Sequence, residues 1–159
     1  MGTVLALALF VSCASEQATD APGACSVAGN ERTVDRAAEP SPPADLLRWA
    51  GVGDIGELEV VGADEECGMD ASARVALRGS PAEIDAALEA AGFVDAPSPG
   101  LSASLTPLDG IDVDELTEVV SSGQQAWEND AGDQISRAYV RGRTGVGDEE
   151  LLHLWVFTT

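Results

Sequence analysis

Arg74-Val75-Ala76-Leu77-Arg78-Gly79-Ser80-Pro81-Ala82-Glu83-Ile84-Asp85-Ala86-Ala87-Leu88-Glu89-Ala90-Ala91-Gly92-Phe93 changes its hydrophobic period part-way along. Over Arg74 to Arg78 the period is two: Val75 and Leu77 point one way and the two arginines the other, the pattern of a half-buried strand. From Ser80 it becomes helical. Ser80-Pro81-Ala82-Glu83 is a capping box, in which the serine hydroxyl accepts the Glu83 amide and the Glu83 carboxylate reaches back. Ile84, Ala87, Leu88 and Ala91 then recur on one face. Gly92 suits a left-handed helix end, with Phe93 folded onto the last turn. A strand followed at once by an amphipathic helix points to a mixed fold.

Reading upstream, Leu58-Glu59-Val60-Val61 is strand-like and leads into an acidic turn at Asp64-Glu65-Glu66-Cys67-Gly68. With Arg74–Arg78 it makes a hairpin. Before it, Ser41-Pro42 suggests an N-cap with proline at the first helical position. Leu46, Leu47 and Ala50 share the helix face, and Gly51 ends it. Downstream, 97–100 reads as a loop and 101–105 as a short strand. Asp112, with Glu115 three residues on and an Ile111–Leu116 staple, predicts a second capped helix burying Leu116, Val119 and Val120 and ending at Gly123. Residues 135–141 and 151–158 predict a last hairpin around a glycine-rich turn at 142–147. Its final strand is apolar on both faces, as a central strand would be. The expected fold is α+β: an antiparallel sheet of about four or five strands, with two or three helices mainly on one face, in a single domain over 44–159.

The chain opens on the apolar run Val4-Leu5-Ala6-Leu7-Ala8-Leu9-Phe10-Val11, followed by Ser12-Cys13. That length suits a secretory signal, whose core needs about 7–15 apolar residues, and falls short of the ~20 that span a bilayer. Val11-Ser12-Cys13 resembles the lipobox of bacterial lipoproteins, with Phe10 where that family usually has leucine. The resemblance covers only the leader. It implies a signal peptide at 1–12, cleavage before Cys13, and a diacylglycerol and a fatty acid such as palmitate on the new N-terminal cysteine. Residues 13–43, small, polar and ending in Pro40-Ser41-Pro42-Pro43, read as a flexible tether that buries too little apolar surface to order itself. The implied location is extracytoplasmic, lipid-anchored to the cell membrane, with plain secretion as the alternative.

With Cys13 assigned to lipid, Cys25 and Cys67 remain as an even pair, the arithmetic of a disulfide in an oxidising compartment. Such a bridge would add about 4 kcal/mol by the chain-entropy estimate. The alternative is two unpaired buried thiols. The formal net charge is -20, from 28 acidic residues against 8 arginines and no lysine. A surface this acidic repels phosphates, so neither nucleic acid nor an anionic lipid surface is an expected partner.

Gly51-Val52-Gly53-Asp54-Ile55-Gly56 spells the dinucleotide fingerprint, but that chemistry needs a strand before it and a helix after. Here the order is reversed, and the reading is a turn without nucleotide. The carboxylates of Asp109, Asp112, Asp114 and Glu115, and those of Asp64, Glu65, Glu66 and Asp70, are what calcium prefers. Neither set has EF-hand spacing, and both read as solvated acidic turns, so no metal or cofactor is expected. His153, the only histidine, has no nucleophile elbow to serve and reads as structural. Arg137, Arg141 and Arg143 form the one basic spot, either receiving an anion or pairing across the turn with Asp148, Glu149 and Glu150. Trp49, Trp127 and Trp155 are the largest side chains, and His153, Trp155 and Phe157 share one face of the last strand. Together with Arg137, Arg141 and Arg143, these three are the candidate interaction patch if left uncovered. A covered second core is the reading preferred for the aromatic face. No catalytic set assembles from the sequence. The expected function is a non-enzymatic interaction or structural module at the membrane surface, with another envelope protein as partner. The alternative is a small extracytoplasmic hydrolase using carboxylates or His153.

Overall fold

A computed structural model of the chain describes residues 40–66, 71–100, 106–128, 132, 134–145 and 147–158. In chain order these form α1 (Pro43–Trp49), β1 (Glu59–Glu66), β2 (Ser72–Gly79), α2 (Pro81–Ala90), β3 (Ser98–Pro99), a 3-10 turn at Val113–Glu115, β4 (Thr117–Ser121), β5 (Gln125–Glu128), β6 (Gln134–Arg143) and β7 (Glu150–Thr158). The strands make one antiparallel sheet of seven, ordered β1-β2-β7-β6-β4-β3, with β5 also on β6. The α+β class holds. The sheet has more strands than the four or five expected, because β3 and β5 are only two and four residues long. Strands this short show no alternation to read in the sequence.

β7 is central, flanked by β2 and β6. Its register sets Leu152, Leu154 and Val156 beside Leu77, Val75 and Ala73 on one side and Arg141, Tyr139 and Arg137 on the other. On this face α1 and α2 lay down Leu46, Leu47, Ile84, Ala87 and Leu88 to complete the main core. The opposite face carries Leu151, His153 and Trp155 of β7 and Ala76 of β2. It is covered by the segment 106–116, which supplies Leu108, Ile111 and Leu116. Both faces of β7 are therefore dry, which is why its sequence is apolar without alternation.

Both helices end the same way. After α1, Val52 N–H donates to the Leu47 carbonyl and Gly51 N–H to that of Arg48. After α2, Phe93 donates to Leu88 and Gly92 to Glu89. This is the Schellman pairing, and it requires the left-handed conformation that Gly51 (φ 77°) and Gly92 (φ 70°) adopt. The Ser80–Glu83 capping box is complete at the start of α2. The hydroxyl of Ser41 does not cap α1. Pro42 is the N-cap residue, while Ser41 donates from its amide and hydroxyl to the Glu65 carboxylate, each at 2.8 Å.

Two expectations are corrected. The helix expected from Asp112 to Gly123 is a single 3-10 turn followed by strand β4. Asp112 accepts the Asp114 amide, a tight local turn, and Leu116 is already extended. Beyond it Thr117, Val119 and Val120 are β-branched, stiff at χ1 and better placed on a pleated sheet, where they extend the edge of β6. The acidic turn at Asp64–Glu66 is instead the end of β1, held in register by Asp64 opposite Arg74. The expected strand at 101–105 lies outside the described residues, as do Cys13, Cys25, Cys67 and Asp70.

Candidate functional site

Two polar centres lie inside the molecule, one on each face of the sheet. Alternation along β6 places Arg137 on the helix-facing side between Ile135 and Tyr139, and there it is fully buried. Its guanidinium lies between the rings of Phe93 and Trp127, 4.2 and 3.8 Å from their centroids. Nη1 donates to the Ala50 carbonyl at 2.8 Å, and Nη2 to the Gly92 carbonyl at 3.2 Å. Nε and Nη2 both reach Oε1 of Gln125, the residue opposite on β5, at 3.2 and 3.1 Å. Ala50 is the C-cap of α1 and Gly92 follows the C-cap of α2, so the cation sits where both helices present their electronegative ends. No carboxylate pairs with it among the described residues. Carbonyls, ring faces and helix ends together offset the loss of water. Burial pushes the guanidinium pKa down to about 10, which leaves it charged at neutral pH. Over this box a shallow open hollow of about 240 Å³ is lined by Arg48, Gly51, Gly53, Ala90 and Trp127.

On the other face His153 is also fully buried. Its Nε2 accepts the Leu108 amide at 3.0 Å, so the ring's one proton belongs on Nδ1, which has no partner among the described residues. The ring stacks on Trp155, centroids 3.8 Å apart and planes tilted by 36°. Trp155 Nε1 donates to the Thr106 carbonyl at 2.8 Å, and Arg74 Nη1 donates to that of Pro107 at 3.1 Å. Arg74 is itself gripped by Asp64 at 2.8 and 2.5 Å. Burial first, then the positive charge of Arg74, pushes the His153 pKa down to about 4 against the weaker pull of Asp64. This imidazole is a neutral structural acceptor.

The six residues of the candidate patch are not brought together. His153, Trp155 and Phe157 lie on the face covered by 106–116, where Trp155 is 4% exposed and Phe157 is half-buried. Arg137, Arg141 and Arg143 lie on the helix-facing side. Arg141 pairs with Asp85 of α2 and stands 3.7 Å from Glu150, while Arg143 pairs with Glu118 of β4 at 3.1 Å. Of the three acidic residues expected opposite the arginines, Glu150 is thus the one engaged. The fingerprint-like Gly51–Gly56 stretch is the turn between α1 and β1, closed by Asp54 accepting the Gly56 amide. Asp64 and Glu65 are engaged by Arg74 and Ser41. Among the described residues no three histidine, cysteine or carboxylate groups converge as a metal site would require. Trp49 and Trp127 pack against the main core.

The sequence reading missed the Arg137 box, although a signal was present: a charged residue at an inward position of an alternating strand, between Ile135 and Tyr139. Its partners Gln125 and Trp127 were hidden, because β5 was not foreseen. No family model matches this chain, and no curated protein or solved structure is significantly similar to it.

Proposed function

We propose that this chain is a lipid-anchored protein of the bacterial envelope whose domain is a non-enzymatic interaction or structural module. The observation that carries this reading over a hydrolase working through His153 is the state of that residue. The one imidazole in the chain is buried, neutral and engaged by a backbone amide, so it has no free lone pair with which to take a proton from a nucleophile or a water. Arg137 likewise directs four of its five N–H donors to the protein's own acceptors.

The leader supports the address, since Cys13 stands where lipoproteins carry their lipid. Ser41, near the end of the proposed tether, bonds to Glu65 near the end of β1, two residues before Cys67. A Cys25–Cys67 bridge would pin the tether to that corner. Peptide mapping without reductant is expected to recover the two cysteines cross-linked, and free thiols at both positions would remove the bridge.

The test of the anchor is metabolic labelling with a fatty acid in a bacterial host, followed by membrane fractionation. The native chain is expected to carry label in the membrane fraction, and Cys13→Ser to lose the label and leave that fraction. Undiminished labelling of the variant would refute the proposal.

A further inference from the structure

We propose that residues 106–116 form an acid-released strap over the second face of the sheet, with protonation of His153 as the trigger. The strap is held at its start by three side chains. Trp155 and, at 3.4 Å, Arg74 hold the Thr106 carbonyl, Arg74 also holds that of Pro107, and the Leu108 amide donates to His153 Nε2. Beyond them Leu108, Ile111 and Leu116 rest on Ala76, Leu151 and Val61. The His153 contact alone depends on a lone pair that exists only in the neutral ring. A proton on Nε2 makes it a donor facing another donor, in a site closed to water.

The surroundings give that charge little help. From β2 comes Arg74, which opposes it, and from β1 comes Asp64, which favours it but is already bound to Arg74. β6 presents uncharged Val140 opposite His153. On the strap Asp109, Asp112, Asp114 and Glu115 are exposed, and the Asp112 carboxylate accepts the Asp114 amide. Among the described residues Nδ1 has no acceptor to share the charge. The closed state therefore holds the ring neutral, down to a pKa of about 4, whereas opening the strap returns it to water and toward the ordinary value of 6.5. Between these limits each unit of falling pH raises the ratio of open to closed strap by up to about tenfold. Release uncovers Leu151, His153 and Trp155, an apolar and aromatic surface. The inference goes beyond the envelope reading and holds whether or not Cys13 carries lipid.

Hydrogen–deuterium exchange of the full chain from pH 7 to 4, corrected for intrinsic exchange rates, tests it. Peptides covering 106–116 are expected to gain exchange by up to about tenfold per pH unit, ahead of peptides from α2 and β7. In His153→Gln, whose side-chain oxygen accepts the Leu108 amide at every pH, that excess slope is expected to vanish. A native strap that opens only in step with the rest of the molecule overturns the proposal, as does a variant with the same excess slope. If the variant does not fold, NMR titration of the native imidazole decides. Titration far below 6.5 together with the Leu108 amide supports the strap, and ordinary titration without a response at Leu108 overturns it.

Discussion

Arg137 joins three elements through one side chain. Its planar fork reaches carbonyls in the turns that close both helices and a glutamine on β5, while its two faces meet aromatic rings. Lysine would keep the charge and lose the geometry, because a single ammonium cannot span Ala50, Gly92 and Gln125 or stack as a plane. Arg137→Lys is therefore expected to destabilise the protein by about 2–3 kcal/mol in urea titration, the range for leaving buried acceptors unpaired. A change within the ~0.5 kcal/mol typical of surface sites would show that the box is incidental. His153 makes the complementary case on the other face. Its folded pKa lies below its unfolded value, so the unfolded chain binds the proton first. The stability it contributes is complete above pH 6.5 and is lost as pH falls toward about 4. Integrated over that window the loss is roughly 3 kcal/mol. Urea midpoints measured across it should fall in the native chain, and His153→Gln should remove that share of the slope. Equal slopes in the two proteins would show that other groups carry the acid sensitivity.

At the level of elements, the helix ends do two things at once. Gly51 and Gly92 close their helices by Schellman turns, and by doing so aim Ala50 and Gly92 carbonyls at Arg137. A Cβ on Gly92 would be strained at φ 70° and would lie 3.3 Å from the Trp127 ring. Gly92→Ala is expected to cost about 1–2 kcal/mol by the left-handed penalty and to lower the thermal midpoint; an unchanged midpoint would mean the turn is not needed. The elements the sequence made legible were those whose signals are local. The capping box and stripe of α2, the alternation of Arg74–Arg78 and the two-faced apolar pattern of β7 around His153 each depend on near neighbours. Elements set by distant partners were not legible. The acidic turn and β-branched run after Asp112 satisfy both a helix pattern and a strand pattern, and only the free edge of β6 selects the strand. β5 is visible only through the strand it pairs with. The same rule covers the site: the inward position of Arg137 was written in β6, but what surrounds it comes from α1, α2 and β5.

For the whole molecule, the sheet is a plate closed on both sides, by two helices over one face and by 106–116 over the other. The closures differ in kind. The helix side rests on a broad apolar core and a cation that stays charged through the neutral range, while the strap side rests on a smaller cluster and one titratable acceptor. Release at the strap would therefore leave the main core in place, as the proposed interaction module requires. The formal charge of -20 is the kind that favours repulsion between like-charged molecules. The proposed location outside the cytosol rests on the leader alone. Intact-mass spectrometry of the protein extracted from membranes of a bacterial host tests that placement most directly. The account predicts a chain that begins at Cys13 and carries the added mass of a diacylglycerol and a fatty acid. An unmodified chain that begins at Met1 and is recovered from the cytosol would contradict it.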